Sequence, residues 1–162
     1  MIPHSPIRLL AAICIAASTL LARPMEAQTR EVTTISAEGA RRALEAAVAE
    51  ARRQNWTVSV SVVDPAGELI AFLRMDGAPP ASVDISRGKA RTAARLRRPT
   101  KALEESVASG RVALTTFEGM ILVEGGVPVT IDGQVVGAVG VSGVTSAQDA
   151  QVAQAGAAAV SK

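Results

Sequence analysis

The sequence predicts an α+β domain in which a five-stranded antiparallel sheet is flanked by helices. One pair of alternating, β-branched runs is separated by Pro65-Ala66-Gly67 and another by Asp132-Gly133, and such short turns join antiparallel strands. Most other long segments carry apolar residues at helical spacing. No internal repeat or long linker interrupts the 162 residues, so one folded domain is expected.

The first half of this domain is predicted to begin with a helix and continue as a hairpin. Ser36 is a suitable N-cap for a helix that runs to about Gln54. Residues 57–64 alternate between apolar and polar types, and residues 68–75 form the returning strand. One helical face carries the apolar stripe Ala40, Ala43, Leu44, Ala47, Val48 and Ala51.

Two helices follow the break at residues 76–80, "DGAPP". Ser82 is predicted to cap a helix that ends near Arg98, because Pro99 disfavours a helical residue before it. Thr100 is then expected to cap a short helix that ends at Gly110.

The C-terminal part is predicted to add three strands and a helix. The strands cover residues 120–123, 127–131 and 134–141, and Ser146 opens a final alanine-rich helix. The predicted order is therefore α-β-β-α-α-β-β-β-α.

Residues 1–27 have the layout of a cleavable bacterial signal peptide. Arg8 precedes a thirteen-residue apolar run at 9–21, and Ala27 is a suitable small residue for cleavage before Gln28. As a helix this run rises only about 20 Å, less than a bilayer core. We expect a periplasmic or secreted protein with no membrane insertion after cleavage. The domains are then a signal peptide (1–27), an N-terminal extension (28–34) and a folded domain (35–162); an uncleaved anchor is the alternative.

The composition excludes several kinds of active site from the mature chain. The chain has one histidine, His4, one cysteine, Cys14, and no tyrosine, and both single residues lie in the predicted signal peptide. A Ser-His-Asp or Cys-His relay and a Cys/His zinc site are therefore excluded. Without the signal peptide, 15 basic and 14 acidic residues leave a net charge of +1, which does not favour nucleic-acid binding.

The glycine-rich segment 124–143, "EGGVPVTIDGQVVGAVGVSG", is interpreted as a hairpin and not as a phosphate-binding loop. A phosphate loop leads directly from a strand into a helix N-terminus, whereas here no helix begins before Ser146. Glycines inside a strand indicate that another backbone, a helix or a flat ligand approaches closely. We expect the small residues near positions 125 and 140 to leave a hollow for a planar ligand.

Four segments together resemble one known family over about residues 35–160. They are "RMDGAPPASVDISRGKARTAA", "RRPTKALEESV", "VEGGVPVTIDGQVVGAVGVSG" and "DAQVAQAGAAAV", and their order resembles the GlcG/HbpS family of haem-binding-type domains. The same domain type forms the C-terminal part of the PduO corrinoid adenosyltransferases.

The resemblance implies a fold, an assembly and a ligand. The fold is an antiparallel five-stranded sheet flanked by helices in a profilin-like three-layer arrangement, and the assembly is a homo-oligomer from dimer to octamer. The ligand is haem or a related tetrapyrrole, with exported members acting in haem capture, sensing or degradation. Several members are instead neighbours of glycolate, diol or alcohol metabolism, which leaves organic-acid binding or a purely structural subunit as alternatives.

If haem binds, the sequence offers few iron ligands. Met75 and Met120 are the only usual ligands left after cleavage, and both sit at predicted strand ends where methionine often fills the core. A threonine ligand has one precedent in the family, and Thr100 is the best match for it. Its alternative role is the N-cap of a helix.

A basic run at residues 87–101 offers partners for the haem propionates. Arginines bind carboxylates in bidentate fashion, so Arg98 is a candidate and Lys89 a point-charge partner. The alternative is a solvated helix face or a subunit contact, since residues 87, 91, 95 and 98 recur at helical spacing. Phe117, Gly125 and Gly126 complete the predicted ligand-binding residues.

The sequence favours a binding protein over an enzyme. The acid–base candidates Asp76, Lys89, Glu118 and Glu124 are not paired by their spacing, and no imidazole supports them. Any redox chemistry would then belong to the bound haem.

Overall fold

The alternating and helical segments form four strands and four α-helices in the part of the chain that the structure describes. The structure is a computed structural model, and it describes residue 28 and residues 31–161. All elements belong to the compact unit Thr33–Lys162, and the predicted signal peptide lies outside the described residues. The elements are α1 (Ala37–Arg53), β1 (Ser59–Val63), β2 (Leu69–Arg74), α2 (Ser82–Leu96), α3 (Thr100–Ala108), a 3-10 helix (Val112–Thr116), β3 (Gly126–Ile131), β4 (Gln134–Ser142) and α4 (Ser146–Ala158).

The sheet is antiparallel throughout and has the strand order β2-β1-β4-β3. Asp132 and Gly133 both have positive φ, 49° and 75°, as the tight turn between β3 and β4 requires. Gly67 closes the β1–β2 turn with a φ of 85° and donates its N–H to the Asp64 carbonyl. Both predicted hairpins are therefore confirmed.

Helices cover both faces of the sheet, so the domain has three layers. Helices α1 and α4 pack on one face, where the larger core gathers Ala43, Ala47, Val139 and Val152 among its buried residues. Helix α2 packs on the other face, where Ala90 and Ala93 meet the strand residue Ala138. The α+β class with flanking helices is confirmed.

The predicted fifth strand at residues 120–123 is wrong. No strand is present there, and the Ile121 N–H donates to Oγ1 of Thr92 in α2 at 2.9 Å. The Ile121 side chain lies against Gly88, where a Cβ atom would come within 2.5 Å of it. Because both its backbone and its side chain contact a helix, this apolar run follows α2 and does not join the sheet.

Two hydroxyl residues predicted as helix caps have other roles. Helix α2 has Ala81 at its N-cap, and the buried Ser82 hydroxyl hydrogen-bonds to Ser59 Oγ in β1 at 2.7 Å. Helix α3 has Pro99 at its N-cap, and Thr100 is its first residue. Each hydroxyl faces the sheet and is buried, so it bonds across the layers and leaves the helix end uncapped.

Of the other helix ends, the start of α1 agrees with the prediction, and the start of α4 and the end of α2 differ from it by one or two residues. The N-cap of α1 is Ser36 as predicted, and its hydroxyl accepts from the Gly39 N–H at 3.1 Å. Helix α4 is capped by Thr145 instead of Ser146, because Thr145 and Gln148 form a reciprocal capping box. Helix α2 ends at Leu96, since Arg97 adopts the left-handed conformation.

Candidate functional site

The glycine-rich hairpin is covered by helix α2. Gly126 in β3 lies opposite Gly140 in β4. A Cβ atom at Gly140 would collide with the Ser86 carbonyl oxygen, and one at Gly126 would collide with the Lys89 carbonyl oxygen. The expectation that these residues leave a hollow for a planar ligand is therefore wrong, because the helix backbone of the same chain occupies the space.

Lys89 is buried beside the same hairpin and forms an ion pair. Only 2% of its side chain is exposed, and its Nζ lies 2.8 Å from Oδ2 of Asp149 at the start of α4. Asp149 Oδ1 also accepts from the Val144 N–H at 3.2 Å. Burial raises the pKa of the Asp149 carboxyl, although Lys89 opposes this shift. The Lys89 ammonium is thus paired inside the domain. Because it does not face solvent, a haem propionate cannot reach it without displacing Asp149.

Gly125 is part of this packing and not part of an open surface. Its φ is +128°, and a Cβ atom there would lie 2.8 Å from the Lys89 Nζ and 2.9 Å from the Asp149 Cβ. A side chain at this position would separate the two members of the ion pair. The glycine is therefore explained by the ion pair and needs no ligand.

Thr100 is fully buried and bonds to the first residue of β3. Its Oγ1 accepts from the Gly126 N–H at 2.8 Å and donates to the Gly126 carbonyl at 3.4 Å. Its predicted role as an iron ligand stays a prediction, and it would require the hydroxyl to leave a hydrogen bond inside the domain.

An open hollow lies instead between the end of α2, α3 and the 3-10 helix. Its volume is about 180 Å³, and it adjoins a second hollow of about 460 Å³. Arg111, Leu114 and Phe117 line both. The first hollow is also lined by Leu96, Arg98, Leu103 and Ser106. The structure thus brings together Arg98 and Phe117, two of the six residues predicted from sequence, in a hollow that three leucines also line.

The arginines of the basic run do not form one uniform ridge. Arg95 donates to the Ala66 carbonyl at 2.6 Å and lies 3.3 Å from Glu68, and Arg91 lies 3.9 Å from the same carboxylate. Arg87 lines a different hollow of about 330 Å³. Arg98 and Arg111 form no ion pair with any described residue.

Sequence reasoning missed Arg111 and the leucines that surround it. The sequence predicts no helix or strand over residues 111–117. Leu114 and Phe117 are three residues apart, which places them on one side of a 3-10 turn. This spacing, together with Arg111 three residues before Leu114, was the signal that could have located the hollow.

The methionines lie elsewhere. Met75 packs against the larger core, and Met120 lines the hollow that contains Arg87.

Within residues 31–161, no three histidine, cysteine, aspartate or glutamate side chains are grouped as a metal site would need. In the same part of the chain, no helix combines the length and apolarity required to cross a bilayer.

Most of the chain matches one known protein family. Residues 35–158 match the family described as "Haem degrading protein HbpS-like". The chain belongs to the HbpS-like family. In this HbpS-like domain, the family-like block "VEGGVPVTIDGQVVGAVGVSG" is the hairpin beneath α2, and packing against that helix explains two of its glycines, Gly126 and Gly140.

Curated relatives of the HbpS-like domain include two bacterial proteins. The chain is 52% identical to Protein GlcG of Escherichia coli K12 over 92 residues, which is 57% of this chain and 69% of that protein. It is 36% identical over 118 residues to an uncharacterized 15.0 kDa protein of the dhaT-dhaS intergenic region of Citrobacter freundii, covering 70% of this chain and 83% of that protein.

Solved structures are similar over most of the described domain. A double mutant of HbpS from Streptomyces reticuli has a TM-score of 0.78 at 36% identity, covering 84% of this chain and 93% of that one. The complex of PduOC with heme has a TM-score of 0.72 at 28% identity, covering 78% of this chain and 95% of that one. The sequence prediction of a GlcG/HbpS-family domain is therefore confirmed.

Proposed function

We propose that this protein is an exported binding protein for haem or a related tetrapyrrole. The observation that carries the proposal is the open hollow in which two unpaired guanidiniums, Arg98 and Arg111, flank an apolar wall that includes Phe117. Membership in the HbpS-like family and the similarity to PduOC, which was solved with heme, support the same ligand class.

The residues of the hollow fit the chemistry of haem. The molecule presents two propionate carboxylates and a broad apolar ring, and arginine forks and leucine or phenylalanine side chains complement these parts. When bound, haem iron would supply redox chemistry, which belongs to the cofactor. Arg98 and Arg111 would hold the carboxylates, and Leu103, Leu114 and Phe117 would contact the ring and exclude water from it.

The test is a spectrophotometric titration of residues 28–162 with hemin. We expect a saturable shift of the Soret band at micromolar hemin, and absence of any saturable shift would contradict the proposal. Thr100→Val tests the predicted iron ligand, because loss of a ligand changes the position of the Soret band. Thr100→Ser, which keeps the hydroxyl, is the matched control, and an unchanged band in both variants would remove Thr100 from the site.

A small carboxylate is the second candidate ligand. The hollow that contains both Arg98 and Arg111 measures only about 180 Å³, and the same guanidiniums would bind a hydroxy acid as well as a propionate. Thermal-shift measurements with a panel of organic acids test this alternative. Stabilisation by one acid, without a hemin titration that saturates, would favour it.

The signal-peptide layout of residues 1–27 supports our proposal that the protein is exported. Export through the segment 1–27 to the periplasm or the medium would suit haem capture, sensing or degradation, and a homo-oligomer would present several hollows together. We propose the binding role over an enzymatic one, since no acid–base pair lines the hollow among the described residues.

A further inference from the structure

The backbones on which Arg98 and Arg111 sit are both fixed by helix-end hydrogen bonds. Arg98 follows the left-handed Arg97 and donates its N–H to the Ala93 carbonyl at 3.3 Å, which ties it to the end of α2. Arg111 donates its N–H to the Ser106 carbonyl at 3.0 Å, which ties it to the end of α3. Arg98 and Arg111 therefore follow the ends of two different helices and line the same hollow.

These two charges differ from the other basic side chains around them. Lys101 lies 3.1 Å from Glu124, and this contact raises the pKa of Lys101. Arg95 lies 3.3 Å from Glu68. Arg98 and Arg111 have no acidic partner among the described residues, and no acidic side chain lines their hollow. Arg98 and Arg111 are both exposed, and two like charges lining one hollow favour an anionic ligand over a neutral one.

The wall between the two arginines is apolar and partly open to solvent. Leu103 is buried at the base of the hollow, Leu114 is half-buried, and 46% of Phe117 is exposed. Phe117 is one of only three aromatic residues in the chain, and together with Leu114 it gives the hollow an accessible apolar surface. A flat apolar ring would cover it.

Among the residues that the structure describes, no iron ligand of the usual kind lines either part of this hollow. Its side chains are arginine, leucine, phenylalanine, valine, alanine, serine and threonine, and the Thr100 hydroxyl is turned toward Gly126. Affinity must then come from the carboxylates and the ring, with little contribution from the iron.

We infer that Arg98 and Arg111 form a clamp that binds the two propionate carboxylates of a tetrapyrrole. The affinity then depends on these carboxylates and not on the metal. The inference rests on the proposed function. It assigns Arg111 to the site, and it predicts that a metal-free ring binds as tightly as the iron form.

The test compares three ligands and two double variants by fluorescence and absorbance titration. The ligands are hemin, metal-free protoporphyrin IX and protoporphyrin IX dimethyl ester, in which both carboxylates are esterified. Arg98→Gln/Arg111→Gln removes the clamp. Arg42→Gln/Arg52→Gln is the matched control, since it removes the same charge from two exposed positions of α1.

The expected pattern has three parts. The wild-type protein binds hemin and metal-free protoporphyrin with Kd values within about threefold of each other, and it binds the ester at least about tenfold more weakly. The clamp variant loses about tenfold in affinity for the two acids and no longer distinguishes acid from ester. The control variant behaves like the wild type.

Each contrary result has a distinct meaning. Equal binding of acid and ester by the wild type overturns the clamp without any mutation, so a variant that fails to fold does not protect the inference. Binding of hemin at least about tenfold tighter than the metal-free ring shows iron ligation and overturns the metal-independent part. Saturable hemin binding that the clamp variant leaves unchanged overturns the clamp at Arg98 and Arg111 and leaves the proposed function standing. No binding of any ring by the wild type overturns the proposed function and the clamp with it.

Discussion

At the scale of single residues, the buried ion pair between Lys89 and Asp149 connects two layers of the domain. Both side chains are almost fully buried, and they join helix α2 on one face of the sheet to helix α4 on the other. A buried pair of this kind gives little net stability over apolar residues, but removing one partner leaves a buried charge without compensation. Substitution of either partner alone should therefore be strongly destabilising.

The pKa of Asp149 gives this pair a defined dependence on pH. Burial raises the pKa of the carboxyl above its ordinary value of 3.8, although Lys89 and the amides of Val144 and Gly143 act in the opposite direction. The folded state thus binds the proton more tightly than the unfolded chain. The contribution of this carboxyl to stability is fully present below pH 3.8 and is lost as the pH rises through the raised folded pKa.

Lys89→Met is expected to destabilise the domain by about 3 kcal/mol at pH 7. Without the ammonium group the pKa of Asp149 rises further, and the destabilisation becomes smaller as the pH is lowered because the protonated carboxyl carries no charge. Urea unfolding at pH 7 and pH 4 measures both effects. Lys101→Met is the matched control at an exposed ion pair and should cost less than about 1 kcal/mol. A loss for Lys89→Met that does not shrink at pH 4 would contradict the role given to the pair.

At the scale of elements, the contact between helix α2 and the β3–β4 hairpin organises the domain. The helix backbone lies directly on Gly126 and Gly140, and small residues such as Ala90 complete the contact. The absence of side chains allows the helix to approach the sheet more closely than a larger residue would permit. This packing sets the position of Arg98 beyond the end of α2, and therefore the position of the hollow.

Gly140→Ala is expected to lower the free energy of unfolding by about 3 kcal/mol, because the new methyl group meets backbone atoms of Ser86 and Ala90 that cannot rotate away. Gly119→Ala is the control. Its φ is +68° with no atom within 4 Å of the added Cβ, so only backbone strain of about 1 kcal/mol is expected. Chemical denaturation of both variants measures the difference. Equal stability of the two would show that α2 can move away from the sheet at little cost.

At the scale of the whole molecule, the hollow is lined by the end of α2, by α3, by the 3-10 helix and by the residues that follow these helices. Helices α1 and α4 and the opposite face of the sheet form the larger core and contribute no residue to it. A change in the hollow should therefore affect ligand binding more than folding. The predicted signal peptide, residues 1–27, is not expected to take part in ligand binding, because it would be removed during export.

The predicted signal peptide is expected to be cleaved during export. When the full chain is produced in a Gram-negative host, intact-mass measurement of the periplasmic fraction should find a protein that begins at Gln28. Ile15→Arg places a charge in the apolar run and should leave the uncleaved chain in the cytoplasm, whereas Ile15→Leu should be exported. A full-length mass in the periplasmic or membrane fraction of the unmodified chain would indicate an uncleaved anchor.

The sequence by itself determined both hairpins, the approximate extents of the helices and the family of this protein. Asp132-Gly133, the cap at Ser36 and the alternating runs around Pro65-Ala66-Gly67 each act through neighbouring residues, so their patterns were sufficient. The glycine-rich block carried the resemblance to the HbpS-like family in the same way.

Only the tertiary structure decided which distant groups meet. Residues 120–123 have strand-like composition, yet Thr92 and Gly88 bind them to a helix. Lys89 lies in a basic run, yet its partner is sixty residues away in α4. Arg98 and Arg111 share a hollow only because α2 and α3 end beside each other. Spacing along the chain records contacts within a helix turn or a hairpin, whereas contacts between layers depend on how the completed elements pack.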